Sequence, residues 1–127
     1  MKKYIGTKEV KAQPMNSYAA SQKGYKTGKA DRIRNGYEVE YEDGYKSWSP
    51  AEPFEKAYKV AETFLDRLLI ERDELNERLK KLRQFIESPK FLETVTDKYQ
   101  RLLLSKQESR MHEYLEILNE RIKLLQQ

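Results

Sequence analysis

Three residues near the C-terminus, Arg110, Tyr114 and Arg121, have the types and the spacing that suit the recognition of an anionic ring compound. Steps of four and seven residues place two guanidinium groups and one phenol ring on a single helix face. Guanidinium groups bind phosphates through paired hydrogen bonds, and an aromatic ring can stack on a base. Lys106 extends the same face by about one turn. The pattern favours a phosphate-bearing ligand, but it also fits flanking residues whose aliphatic stems cover an apolar seam.

Other candidate ligand contacts lie elsewhere in the chain. Trp48 belongs to a segment in which aromatic and charged residues alternate, so its ring could stack on a base or fill the core of a sheet. Ser88 and Phe91 flank Pro89 and Lys90, where a ring and a cation at a helix junction could meet a ligand. Local packing of the bend explains the same residues.

The sequence offers little equipment for catalysis. It has no cysteine and a single histidine, His112, which is typical of an ordinary, partly exposed helix residue. Glycine-rich phosphate loops, zinc-binding helices and calcium loops are absent as motifs. We therefore expect a protein that is not an enzyme, with no cofactor and no metal.

Charge and hydropathy restrict the partners. The net charge is +4, but 36% of residues are charged and the two signs are interspersed, so a nucleic-acid polymer is not required. No apolar run approaches the ~20 residues of a membrane span, and we expect a cytoplasmic protein without a membrane partner. One alternative is a nucleic-acid binder with steep salt dependence. It would use the basic stretch Lys23, Lys26, Lys29, Arg32 and Arg34, interleaved with Tyr25.

Composition changes abruptly near Pro53, because residues 1–53 hold all five glycines. We predict a small antiparallel β module over 1–53, with a strand from Lys3 to Gln13 and a mobile loop over 16–35. Asp43-Gly44 predicts a two-residue hairpin turn. The hairpin strands carry Tyr37, Val39 and Tyr41 on one face, and Tyr45 and Trp48 on the return strand.

Residues 54–127 have a helical period and predict a long antiparallel two-helix hairpin, with helices at about 54–87 and 96–126. Ser49 and Pro50 resemble a helix start, and Ser88-Pro89 ends the first helix. Its apolar seam comprises Ala61, Leu65, Leu68, Leu75, Leu79, Leu82 and Ile86, interrupted by Arg72. The facing seam of the second helix comprises Leu104, Met111, Leu115, Leu118, Ile122 and Leu125, interrupted by Glu108.

The second helix carries a further stripe that mixes apolar, aromatic and cationic residues. One hairpin cannot bury both stripes, so the second stripe needs another partner, and we expect an oligomeric α+β protein. This stripe comprises Tyr99, Leu103, Lys106, Arg110, Tyr114, Ile117, Arg121 and Leu124.

Two segments carry a family resemblance. Residues 66–91 (DRLLIERDELNERLKKLRQFIESPKF) and 111–122 (MHEYLEILNERI) resemble the helical hairpin shared by phage anti-CBASS and anti-Thoeris sponges. Residues 4–8 (YIGTK) and 44–50 (GYKSWSP) resemble an N-terminal module common in phage proteins. A sheet module followed by a hairpin, in this order and length, is similar to the anti-Thoeris cyclic-ADP-ribose sponge family.

The resemblance implies sequestration of an immune signal in the cytoplasm of an infected bacterial host. In that family, assemblies of dimers enclose glycocyclic ADP-ribose isomers made by TIR-domain proteins, without cleaving them, and so block Thoeris immunity. Some members also bind cyclic di- or trinucleotides at separate sites in a hexamer, so a homodimer or hexamer is implied. Arg121 matches the Arg-Ile pair that ends the hairpin motif, whereas Arg110 rests on spacing alone.

A protein-interaction or assembly module built on the helical hairpin is the alternative from another class. It predicts that the second stripe is apolar and that lysine can replace its arginines.

Overall fold

A computed structural model describes residues 1–28 and 32–127, which fold as two units, residues 1–59 and residues 60–127. The first unit contains a three-stranded antiparallel sheet and the second is helical, which confirms the predicted α+β class. The division falls at Lys59 instead of Pro53, because the first short helix after the sheet packs against two of its strands. Lys29 lies outside the described residues.

The sheet has the order β1-β2-β3, with β1 Lys11–Pro14, β2 Gly36–Glu40 and β3 Lys46–Pro50. The predicted strand from Lys3 was wrong for residues 3–10, which form no strand and lie almost entirely exposed. Pairing of β1 with β2 starts at Lys11 opposite Glu40. Beyond Glu40 the second strand enters its hairpin loop, so residues 3–10 have no straight neighbouring strand with which to pair.

The β2–β3 hairpin turns through three residues, Glu42 to Gly44, instead of the predicted two. Tyr41 N–H donates to the Tyr45 carbonyl at 2.8 Å, and Gly44 N–H donates to the Tyr41 carbonyl at 2.9 Å. Gly44 has a φ of +88°, a conformation that glycine adopts without steric cost. The Asp43 carboxylate accepts the Tyr45 N–H at 3.0 Å and fixes the turn.

Two short helices complete the first unit: α1 Ser17–Gln22 and α2 Ala51–Ala57. The first lies inside the predicted loop over 16–35, and Asn16 caps it by accepting the Ala19 N–H at 2.8 Å. Ser49 does not cap the second helix as predicted, because it is still paired with Tyr37 in the sheet.

The second unit contains α3 Phe64–Glu87, α4 Lys90–Thr94 and α5 Lys98–Leu125. The predicted helix from residue 54 is interrupted, and α3 starts afresh at a capping box. In this box Asp66 N–H donates to the Thr63 hydroxyl at 3.0 Å, and Thr63 N–H donates to the Asp66 carboxylate at 3.1 Å. Asp97 caps α5 by accepting the Tyr99 N–H at 2.8 Å.

The predicted seams of the hairpin pack against each other, with two exceptions. Ala61 precedes the helix and is exposed, and Leu125, the last residue of α5, is also exposed. The two polar interruptions are satisfied across the hairpin: Arg72 donates to the Asn119 side chain at 3.2 Å, and Arg83 donates to Glu108 at 2.6 Å. The core cluster of this unit comprises Leu68, Leu75, Leu118 and Ile122, with Leu65, Leu69, Met111 and Leu115 packed against it.

Candidate ligand-binding face of the helical hairpin

The helix α5 buries one stripe against α3 and exposes another, which we call the outer face of α5. Every member of this stripe is exposed, including its large apolar side chains. An apolar and cationic surface of this kind suits a partner that has both apolar groups and negative charge. The outer face comprises Tyr99, Leu103, Lys106, Arg110, Tyr114, Ile117, Arg121 and Leu124.

Arg121 lies over the ring of Phe64, with its guanidinium carbon 5.7 Å from the ring centroid. Phe64 is the first residue of α3, and the antiparallel hairpin brings it opposite the end of α5. Within the part of the chain that the structure describes, no carboxylate pairs with Arg121. The ring therefore contacts the flat face of the guanidinium, and the N–H edges of the guanidinium stay available to an anion.

Tyr114 is held by a hydrogen bond from its hydroxyl to the Glu71 carboxylate on α3. This bond leaves the ring partly exposed on the same face as Arg121. Seven residues of helix separate the two side chains, which is roughly 10 Å along the axis and suits a ligand of nucleotide size.

Arg110 and Lys106 lie farther along the outer face. Arg110 donates to Glu113 at 3.3 Å, and both side chains are well exposed. An exposed pair of this kind contributes little free energy, so Arg110 can exchange its partner for a phosphate at small cost. Lys106 is exposed on the same stripe.

Ser88 and Phe91 serve the bend of the hairpin. Ser88 ends α3, and its hydroxyl donates to the Phe85 carbonyl at 2.7 Å. The rings of Phe91 and Phe85 meet edge to face at 5.5 Å. Because Arg121 lies near the other end of α5, roughly 35 Å from the bend, one chain does not bring these residues to the same site.

Trp48 lies in the first unit and is 8% exposed, so its ring fills the core of that unit and is not an open stacking surface. Its indole N–H donates to the Met15 carbonyl at 2.7 Å, and the Arg34 guanidinium lies 5.4 Å from its ring. The same alternation of aromatic and charged residues predicts both outcomes, and burial decides between them.

The basic stretch of the first unit is partly used internally. Lys23 lies 3.3 Å from the Glu38 carboxylate, and the Tyr25 hydroxyl donates to that carboxylate at 2.6 Å. These hydrogen bonds, with one from Gln13 at 2.7 Å, lower the pKa of Glu38 to about 2. The bond to Glu38 also raises the pKa of the Tyr25 phenol.

Sequence reasoning missed two groups of residues in the hairpin. Phe64 and Glu71 orient the ligand candidates from α3, and no pattern within α5 could reveal them. The second group is a polar chain across the hairpin, in which the Arg83 guanidinium lies 2.9 Å from His112 Nδ1 and His112 Nε2 lies 2.6 Å from Glu116. Since Arg83 only donates, Nδ1 accepts and Nε2 carries the hydrogen.

The fold and this site define a small α+β protein with an antiparallel helical hairpin that displays cationic and aromatic side chains on the outer face of α5. Residues 62–124, which span almost the whole hairpin, match the model of the Sequestin family. This similarity fits a sequestering protein. No curated protein and no solved structure shows significant similarity to the chain. Within the described residues, no helix is long and apolar enough to cross a membrane.

Proposed function

We propose that this protein is a phage anti-defence sponge that binds glycocyclic ADP-ribose, without cleaving it, and thereby blocks Thoeris immunity. The observation that carries the proposal is the geometry of Arg121, held over Phe64 with its donor edges free, inside the segment similar to the Sequestin family. The resemblance of the hairpin to phage anti-Thoeris sponges supplies the ligand class.

The outer face of α5 has the chemistry that a cyclic pyrophosphate with an attached base requires. Arg121 offers paired donors to the phosphate oxygens, and Arg110 can leave Glu113 to add a second cation. Tyr114 offers a ring whose position is fixed through Glu71, so little conformational freedom is lost when a base stacks on it.

Enclosure of a ligand requires a second copy of the chain. The outer face exposes Tyr99, Leu103, Ile117 and Leu124, which a homodimer or a larger assembly such as a hexamer would cover. Ser88 and Phe91 can join the site only from such a second copy, because they lie far from Arg121 within one chain. Cyclic di- or trinucleotides would occupy separate sites in the same assembly.

Sequestration acts by mass action in the cytoplasm of the infected host. Tight binding with slow release lowers the free messenger concentration, so the downstream effector stays silent and no catalytic residue is needed.

The first experiment mixes the purified full chain with glycocyclic ADP-ribose isomers and, separately, with cyclic di- and trinucleotides. Ligand at a hundredfold excess over Kd stabilises the folded state by about 2.7 kcal/mol, so we expect the melting temperature to rise by several degrees. Heat denaturation should then release the messenger unchanged, as measured by mass spectrometry. Degraded messenger would mean a hydrolase, and the absence of any shift would contradict the proposal.

Two substitutions at one position test the site. Arg121→Ala removes charge-assisted hydrogen bonds worth about 1.5–3 kcal/mol, so Kd should rise roughly ten- to a hundredfold. Arg121→Lys should recover only part of the affinity, because an ammonium group lacks the planar fork. Arg78→Ala, an exposed position on α3, is the matched control and should leave Kd unchanged.

A protein-interaction module is the second candidate, and the exposed apolar residues of the outer face favour it. In that case Arg121→Lys would keep full binding to the partner, and no messenger would shift the melting temperature. The lysine variant therefore separates the two functions.

A further inference from the structure

A cavity of about 300 Å³ opens beside the β2–β3 hairpin loop of the first unit, lined by Lys8, Tyr41, Glu42, Asp43 and Tyr45. This volume lies at the lower end of the range for small-molecule sites. All of the lining residues belong to the first unit, so the cavity shares no residue with the outer face of α5.

One wall of the cavity is aromatic. The rings of Tyr41 and Tyr45 are stacked, with centroids 5.8 Å apart and planes inclined by 27°. Tyr45 is 65% exposed, so one face of this stack remains open to a planar ligand. Base stacking on such a ring stabilises a complex by about 1–3 kcal/mol, whatever the base.

The other walls carry groups that suit a sugar and a phosphate. One oxygen of Asp43 accepts the hydrogen bond from the Tyr45 N–H, which fixes the carboxylate in the loop. Its second oxygen and the exposed Glu42 carboxylate can accept hydrogen bonds from neighbouring hydroxyls, as acidic side chains do for the ribose of dinucleotides.

Lys8 adds the positive charge of the site. Lys8 belongs to the segment before β1 and lines the same cavity as Asp43. An ammonium group in this position can bind one phosphate, while two carboxylates disfavour further negative charge.

We propose that this cavity binds a ribonucleotide that carries a single phosphate. The base stacks on Tyr45, the ribose hydroxyls donate to Asp43 and Glu42, and the phosphate binds Lys8. Each contact uses a different part of the ligand, so each can be removed separately.

The test is titration calorimetry of the full chain with adenosine 5′-monophosphate as the probe. Loss of a hydroxyl bonded to a carboxylate costs at least about tenfold in affinity, so 2′-deoxyadenosine 5′-monophosphate should bind correspondingly more weakly. Tyr45→Ala should weaken the ribonucleotide at least about fivefold, whereas Tyr45→Phe, which keeps the ring, should retain binding.

Three controls keep the test decisive. Tyr18→Ala removes another exposed tyrosine of the first unit and should change nothing. The unfolding transition followed by Trp48 fluorescence should be the same in Tyr45→Ala as in the original chain, which would show that the variant unit is folded. If Arg121→Ala abolishes nucleotide binding and Tyr45→Ala does not, the nucleotide occupies the hairpin, and this proposal fails while the proposed function stands.

Two further outcomes would overturn the inference. One is the absence of any heat of binding when the nucleotide is added at millimolar concentration. The other is preferential binding of arginine methyl ester, which would make the cavity a cation site built from tyrosine rings and carboxylates.

Discussion

Glu38 shows how much one charged side chain can organise in a small sheet. It lies at the centre of β2 and is buried, yet it accepts hydrogen bonds from Gln13 on β1, from Tyr25 and from Lys23. A buried charge persists only when it is paired and bonded in this way. The carboxylate thus ties the segment after α1 to the sheet.

We expect the first unit to lose stability in acid because of Glu38. Its pKa in the folded state is about 2, below the ordinary 4.5, so the charged form is favoured by folding. This stabilisation is fully present above pH 4.5 and is lost as the pH falls towards 2. Trp48, the single tryptophan, lies in the same unit, so its fluorescence can follow unfolding against pH.

Glu38→Gln should lower the unfolding midpoint at pH 7 and flatten the dependence between pH 4.5 and 2. Glu52→Gln, at an exposed pair with Lys56, is the control and should keep the acid transition of the original chain. An acid transition that persists unchanged in Glu38→Gln would assign the effect to other carboxylates.

For single residues, the sequence predicts which chemical groups a helix face carries better than it predicts which other side chains those groups contact. Arg121 and Tyr114 are exposed on one helix face, as their spacing predicts. Phe64 could not be found from the same pattern, because its contact with Arg121 depends on where α3 starts. Trp48 could not be placed either, since alternation specifies a face of a strand but not which face is covered.

At the scale of elements, periodicity predicts the hairpin well, because long apolar seams leave few alternative packings. The boundaries were less predictable. The break before α3 depends on the Thr63 and Asp66 capping box, whose free energy is small compared with that of the seam. Six-residue α1 was missed because it is too short to show a helical period.

Two adjacent residues of α5 provide a matched test of this packing. Leu118 is fully buried, whereas Ile117 is 57% exposed. Leu118→Ala should lower the free energy of unfolding of the hairpin by about 2–5 kcal/mol, through lost burial and a cavity. Ile117→Ala should change it by no more than about 0.5 kcal/mol.

The measurement is urea unfolding followed by circular dichroism at 222 nm, which reports the long helices, at protein concentrations low enough to limit association. Equal losses in the two variants would mean that the outer face of α5 is covered even in a single hairpin.

For the whole molecule, the outer face of α5 predicts self-association. Ile117→Glu places a charge among Tyr114, Arg121 and their apolar neighbours, where desolvation is costly. We expect its dissociation constant for self-association to rise at least about tenfold, measured by sedimentation equilibrium over a range of concentrations. Asn76→Glu, at an exposed position on α3, adds the same charge elsewhere and should leave association unchanged.

If both variants associate as the original chain does, the outer face is not the contact between copies. The proposed enclosure of a ligand would then have to use another surface.

The distribution of the hairpin core has a consequence for folding kinetics. Leu68 and Ile122, which pack in the same core cluster, lie far apart in sequence, whereas the residues near the bend are only partly buried or exposed. The chain must therefore close a long loop before the contacts of the core cluster form. The entropic cost of loop closure comes before the favourable free energy of those contacts. We expect long-range contacts of this cluster to limit the folding rate, so Leu118→Ala should slow folding as measured by stopped-flow circular dichroism.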